Sequence, residues 1–274
     1  MLDRNNISKS KSEYKPVLAI MRPESYIKES VELAESLGFE TIAVPMIEIL
    51  DEVDSGFDDF FRRVVDGDSD YVIFTSANGI DLTLRKIPDE ERDSFIDSLK
   101  RTNTIAIGPN TQKALQKLGI DDSDMPDVYS SDGLVEYLCS DVRGKTIDIA
   151  RSSYGAPILI SGLEKCGASV FETQVYTLGM LDGDEQKGLI ELTISGKITV
   201  FAFTSSMMVR NFFANADTMG VSEQIVNVLN DSIVAAIGIP TADTLNSYGV
   251  EVGVIPDRYI FEALVNKVKE YISN

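Results

Sequence analysis

Asp70-Tyr-Val-Ile-Phe-Thr-Ser76 and Thr199-Val-Phe-Ala-Phe-Thr-Ser205 are two versions of one segment, with Phe74 and Phe203 129 positions apart. Each is a short run of β-branched and aromatic residues that ends in Thr-Ser. A run that short and that apolar reads as a strand buried on both faces of a parallel sheet. Working outward, Ile105-Ala-Ile-Gly108 matches Ala235-Ala-Ile-Gly238, 130 positions on. Each continues through a threonine and a short helical pattern to a glycine, Gly119 or Gly249. In the other direction, Val17-Leu-Ala-Ile-Met-Arg22 matches Thr146-Ile-Asp-Ile-Ala-Arg151, and each runs through a helical stretch to Gly38 or Gly167. Several segments at one offset mark an internal duplication. The chain reads as two copies of one α/β unit.

Between the strand signals lie amphipathic stretches. Phe57, Phe60, Phe61, Val64 and Val65 recur at the spacing of one helical face. Glu29–Leu37, Asn110–Leu118 and Thr241–Tyr248 each stop at a glycine, the residue that most readily adopts the left-handed conformation ending a helix. Alternating strand and helix predicts α/β architecture: two similar, doubly wound, flavodoxin-like parallel sheets with right-handed crossovers. Residues 40–50 and 168–178 each read as one strand, about twice the usual ~5–6 residues. Each can begin in a sheet and run on as a connector, so the pair is expected to form a two-stranded antiparallel linker. Domain one is then discontinuous, 16–47 with 177–274, and domain two is 50–173. Two consecutive domains split near Arg143 fit the repeat equally well. Residues 1–15 are polar and are read as a flexible start.

Composition narrows function. The chain has 274 residues, 43% hydrophobic and 25% charged, enough for about two ordinary globular domains. The net charge of −19 disfavours nucleic acid and anionic membrane surfaces. No apolar run approaches the ~18 residues of a membrane span, and no secretory signal is read at the start, so a cytoplasmic location is expected. There is no histidine, which removes the usual general base and every Ser-His-Asp scheme. Cys139 and Cys166 carry neither disulfide-framework nor metal spacing, and read as small buried apolar residues.

In open parallel sheets, ligands bind beyond the carboxyl ends of the strands. The loops there include Arg22-Pro-Glu-Ser25, Thr75-Ser-Ala-Asn78, Gly108-Pro-Asn-Thr111, Arg151-Ser-Ser-Tyr154, Thr204-Ser-Ser206 and Gly238-Ile-Pro-Thr241. Each precedes a helix, whose first N–H groups and dipole favour anions. Taken singly, Ser, Thr and Asn at such junctions are ordinary helix caps; only the set, facing one cleft, points to a ligand. Arg22 and Arg151 fit ligand contact and local ion pairing equally. No glycine-rich nucleotide fingerprint is present.

Arg22-Pro23, Ile47-Glu-Ile49, Phe74-Thr-Ser-Ala-Asn78, Ile107-Gly-Pro-Asn-Thr111, Val175-Tyr176, Phe203-Thr-Ser-Ser206 and Ile237-Gly-Ile-Pro-Thr241, in this order, resemble uroporphyrinogen-III synthases from about residue 17 to 270. The resemblance implies the discontinuous arrangement of domains. It also implies an interdomain cleft in which hydroxymethylbilane, a linear tetrapyrrole polycarboxylate, loses water and closes to uroporphyrinogen III with its terminal ring inverted. It implies no cofactor and no metal. The family's candidate acid falls on Tyr176, and a phenol of pKa ~10 can donate at neutral pH without tuning. Thr75, Ser76, Asn78, Thr111, Ser205, Ser206 and Thr241 match its substrate-binding positions; Arg22 and Arg151, with Lys113 or Arg210, are the candidate cations for the substrate's carboxylates. A monomer with no nucleic-acid or membrane partner is expected. Two other readings fit the outline: a non-enzymatic two-lobed binding protein, and a duplicated receiver-like module, against which Met21-Arg22 stands where an acidic cluster is needed.

Overall fold

The computed structural model describes residues 15–273. The flexible segment expected over 1–15 falls, but for Lys15, outside them. Among the described residues the chain runs β1 (Val17–Ile20), α1 (Glu24–Ser36), β2 (Glu40–Ala43), β3 (Ile47–Asp51), α2 (Phe57–Asp66), β4 (Tyr71–Phe74), α3 (Ala77–Lys86), α4 (Asp89–Arg101), β5 (Asn103–Ala106), α5 (Pro109–Gln116) and α6 (Ser131–Leu138). It continues β6 (Thr146–Ser152), α7 (Pro157–Lys165), β7 (Ser169–Met180), α8 (Asp184–Ile194), β8 (Val200–Phe203), α9 (Ser206–Thr218), α10 (Ser222–Asn230), β9 (Ile233–Ala236), α11 (Ile239–Ser247) and α12 (Phe261–Ser273).

These elements form two compact units: residues up to Glu48 with those from Gly179 on, and Ile49–Leu178. The first holds a four-stranded sheet, β2-β1-β8-β9; the second a five-stranded sheet, β3-β7-β6-β4-β5. The pairs β1–β2, β1–β8, β8–β9, β4–β5, β4–β6 and β6–β7 are all parallel. The duplication and the sheets do not divide the chain at the same places. In sequence the copies are β1, β2, β4, β5 and β6, β7, β8, β9. In space β1 and β2 join β8 and β9, while β4 and β5 join β6 and β7. Each sheet is therefore built from half of each copy.

The expected single strand over 40–50 is two. Val44 and Met46 donate their N–H groups to Ile20 and Met21, on the β1 side. The bond from Met46 lies beyond Pro45, and β3 then runs beside β7 in the other sheet. The second long strand is continuous from Ser169 to Met180.

In the Ile49–Leu178 unit, alternate strand residues enter opposite cores. Val72, Phe74, Ala106 and Ala150 pack with Phe60, Val64, Phe95 and Leu99 of α2 and α4. Ile73, Ile105, Ile147 and Ile149 pack with Leu134 and Leu138 of α6 and Leu159 and Leu163 of α7. Period-2 alternation with both faces covered explains why the strands are apolar throughout. Among the polar exceptions, Asp148 is fully buried in mid-strand. Arg63 of α2 reaches it through Nη2 at 2.6 Å, and Ser69 Oγ donates at 2.6 Å. A buried carboxylate is tolerated only when paired in this way.

The expectation of two buried, apolar cysteines is overturned. The sulfurs of Cys139 and Cys166 are bonded, with Cα atoms 5.2 Å apart. Cys139 is exposed and Cys166 half-buried. They follow the last residues of α6 and α7, which pack against each other. The approach is close: a Cβ at Gly162 would lie 2.6 Å from Val135 Cγ2, so a larger residue there would push Val135 aside.

Candidate functional site

Both sheets end in polar rims. In the Ile49–Leu178 unit, β4 ends at Phe74 and α3 begins after Ser76. Ser76 has extended backbone, and its Oγ accepts the Gly79 N–H at 3.0 Å. That makes it the cap of α3. The same Oγ lies 2.9 Å from the Tyr176 hydroxyl. Tyr176 comes from β7 and is 7% exposed, its ring in the core with Phe74, Ala150 and Val175. A register shift between Arg151 and Ser152 sets Ser152 opposite Tyr176. Ser153 donates its N–H to the Tyr176 carbonyl at 3.0 Å, and its hydroxyl lies 2.7 Å from Thr177 Oγ1. Thr75 and Asn78 flank Ser76, both half-buried. Thr111 is buried in the first turn of α5, which starts at the glycine cap Gly108. Sequence reasoning named Ser76 and Tyr176 separately. It missed Ser153 and Thr177, whose contact depends on the irregular register.

The other unit repeats the serine and glycine caps, with Met207 at the offset of Asn78. Ser205 caps α9, accepting the Met208 N–H at 3.1 Å. Ser206 Oγ donates to the Pro240 carbonyl at 2.9 Å. Thr241 is buried in the first turn of α11, behind the glycine cap Gly238. Thr111 and Thr241 thus hold the same helical position although Pro109 and Pro240 do not. At the offset that relates Arg22 to Arg151, the counterpart of Tyr176 is Ile47, which is buried.

The two arginines are engaged within their own units. Arg151 is 3% exposed; its Nε donates to Glu172 at 2.6 Å and its Nη1 to the Ala156 carbonyl at 2.8 Å. Arg22 Nη1 donates to Ser30 Oγ at 2.8 Å and lies 3.6 Å from Glu29. Its guanidinium sits over the rings of Tyr26 and Phe261, 4.5 and 4.8 Å from their centroids. Desolvation lowers its pKa from the ordinary arginine value. Lys113 and Arg210 are exposed, and among the described residues neither has an ion-pair partner. The same residues contain no cluster of three His, Cys, Asp or Glu able to hold a metal, and no helix long and apolar enough to cross a membrane.

Two shallow hollows, about 320 and 380 Å³, open around Arg101–Asn103. That is where β5 begins, and neither hollow includes a rim residue. The rims are the better candidate, because helix starts and strand ends of a parallel sheet converge there.

The family model described as uroporphyrinogen-III synthase HemD matches residues 28–266. A protein of Methanothermobacter thermautotrophicus provisionally named uroporphyrinogen-III synthase is 27% identical over 251 residues, 90% of this chain and 95% of that protein. The uroporphyrinogen-III synthase of Chlorobaculum parvum is 24% identical over 242 residues, covering 88% and 92%. A crystal structure of a mutant uroporphyrinogen III synthase from Thermus thermophilus shares the fold. Its TM-score is 0.66 at 18% identity, over 94% of this chain and 99% of that one. A solved structure of the enzyme from Helicobacter pylori gives 0.60 at 16% identity. With the model spanning most of the sequence and the fold agreeing, the chain belongs to the uroporphyrinogen-III synthase family.

Proposed function

We propose that this protein cyclises hydroxymethylbilane to uroporphyrinogen III, with inversion of the terminal pyrrole and release of one water. The observation that carries the reading is the Ser76–Tyr176 pair: a tyrosine hydroxyl 2.9 Å from a helix-capping serine at the carboxyl-end rim. The C–O bond of the hydroxymethyl group breaks, and its oxygen leaves as water as it takes up a proton. Tyr176 hydrogen-bonds or protonates that oxygen, while Ser76 and the start of α3 fix the phenol's position. The net change is dehydration with ring closure, so no electron donor or acceptor is required.

The remaining work is confinement. The substrate cyclises unaided without inversion, so the protein must favour the bent conformation that leads to the spiro route. Thr75, Ser76, Asn78, Thr111, Ser205, Ser206 and Thr241, with neighbouring backbone amides, bind its carboxylates in this reading. Donors at helix starts act at short range, which suits a body of net charge −19, since salt screens the wider field over ~8 Å. Arg22 and Arg151 shape their rims through local partners. The protein acts in this reading as a cytoplasmic monomer, with the tetrapyrrole as its ligand and neither nucleic acid nor membrane as a partner. The test is incubation with hydroxymethylbilane and chromatography of the oxidised products. Isomer III is expected; isomer I alone would mean a two-lobed binding protein without this activity.

A further inference from the structure

The duplication places a half-exposed tyrosine at the same point of each rim. After β5 the chain returns beside it through a parallel bridge, Ile105 to Asp124; after β9 it does so through Ala235 to Val254. Each return leads into the same turn. Ser130 donates its N–H to the Val128 carbonyl at 2.8 Å, and Ile260 to Arg258 at 2.9 Å. Leu134 donates to Ser130 at 2.9 Å, and Leu264 to Ile260 at 3.1 Å. Tyr129 and Tyr259, 130 positions apart, are the middle residues of these turns. A Cβ built at Gly108 would lie 3.3 Å from Tyr129 Cβ and 3.4 Å from its Cγ. One built at Gly238 would lie 3.4 Å from Cγ, Cδ1 and Cδ2 of Tyr259, whose ring therefore lies flat over that glycine. The tyrosines thus stand on the glycine caps of α5 and α11, two residues beyond the ends of β5 and β9. They are 44% and 50% exposed, and among the described residues neither phenol has a hydrogen-bond partner.

Other tyrosines of the chain are as exposed, Tyr154 and Tyr271 among them; what sets Tyr129 and Tyr259 apart is that both stand at the same place on the two rims, over the glycine that opens a rim helix. We infer that Tyr129 and Tyr259 are substrate-contacting specificity residues, each offering an aromatic face to a pyrrole ring of the tetrapyrrole. The Ser and Thr hydroxyls and helix-start amides take the carboxylates; these rings take the flat, apolar parts between them. The inference rests on the proposed activity and adds the means by which individual pyrroles are oriented.

The test is steady-state kinetics with hydroxymethylbilane, with isomer ratios, for wild type and for Tyr129→Leu, Tyr259→Leu and the corresponding Phe variants. Leucine keeps apolar cover over the glycine and removes the aromatic face. KM should rise roughly three- to ten-fold in each leucine variant, the range expected for one aromatic pair. The share of isomer I should rise, melting temperature should hold, and phenylalanine should restore wild-type KM. Unchanged KM in the leucine variants overturns the inference, and so does a lower melting temperature with KM unchanged. If the leucine variants fold poorly, Tyr129→Trp and Tyr259→Trp decide, with KM at or below wild type expected and a rise contradicting the assignment. Wild type is the control for the activity: isomer I alone from wild type defeats the proposed function itself. Isomer III from wild type with indifferent variants defeats only the tyrosine assignment.

Discussion

Ser76 serves two partners at once, the Gly79 amide and the Tyr176 hydroxyl. Its capping role was legible, because Thr-Ser after an apolar run is a helix start. Its contact with Tyr176 was not: the two are 100 positions apart and meet through the irregular register at Arg151 and Ser152. Tyr176→Phe removes one hydroxyl and keeps the ring. Turnover should fall about ten- to hundred-fold, at or below the lower end for a dedicated general acid. Stability should drop by only about 1 kcal/mol, one ordinary hydrogen bond. Wild-type turnover in the variant would remove Tyr176 from the reaction. Arg22 and Arg151 show the opposite case, alike in sequence yet held by different partners, which no offset could reveal. Asp70 gives a residue-scale test of stability. The Lys145 ammonium, and then the Thr146 N–H, hold its carboxyl below the usual carboxylate range. A depressed folded pKa means that the stabilisation is present above the unfolded value of ~3.9 and is lost as pH falls through the folded one. Asp70→Asn should therefore be less stable than wild type at neutral pH, with the gap closing below about pH 4. Urea titrations across that range check it, and a gap independent of pH would contradict the assignment.

At the scale of elements, most of the sheet was readable. Parallel strands buried on both faces have no polar alternation to hide them, and Gly38, Gly119, Gly167 and Gly249 end helices with positive φ as the pattern required. The breaks came where one residue overrides a pattern. The supposed long strand divides around Pro45, between β2 at Ala43 and β3 at Ile47. The cysteine pair was illegible for another reason: sulfurs 27 positions apart meet only because α6 and α7 lie side by side, with Gly162 permitting the approach. This bond should contribute about 2–4 kcal/mol, chiefly by restricting the unfolded chain. Reduction, or the Cys139→Ser/Cys166→Ser double substitution, should lower the melting temperature accordingly. Alkylation of the unreduced, denatured protein should find no free thiol; two free thiols would contradict the bridge.

The whole molecule is a duplication whose halves have been exchanged. The four-stranded sheet takes two strands from each copy and the five-stranded sheet three from the first and two from the second, which is why the repeat was visible while the residues alone left the division of the chain open. The exchange yields two rims that are alike in their caps and in their half-exposed tyrosines; at the same offset Asn78 and Tyr176 correspond to Met207 and Ile47. In the proposed reaction the two rims both bind the substrate's carboxylates, and Tyr176 is the proton donor. Identifying the isomer made from hydroxymethylbilane tests this account most directly. Uroporphyrinogen III, formed faster than the spontaneous ring closure, is the predicted product. Uroporphyrinogen I alone, at the rate seen without protein, would contradict it.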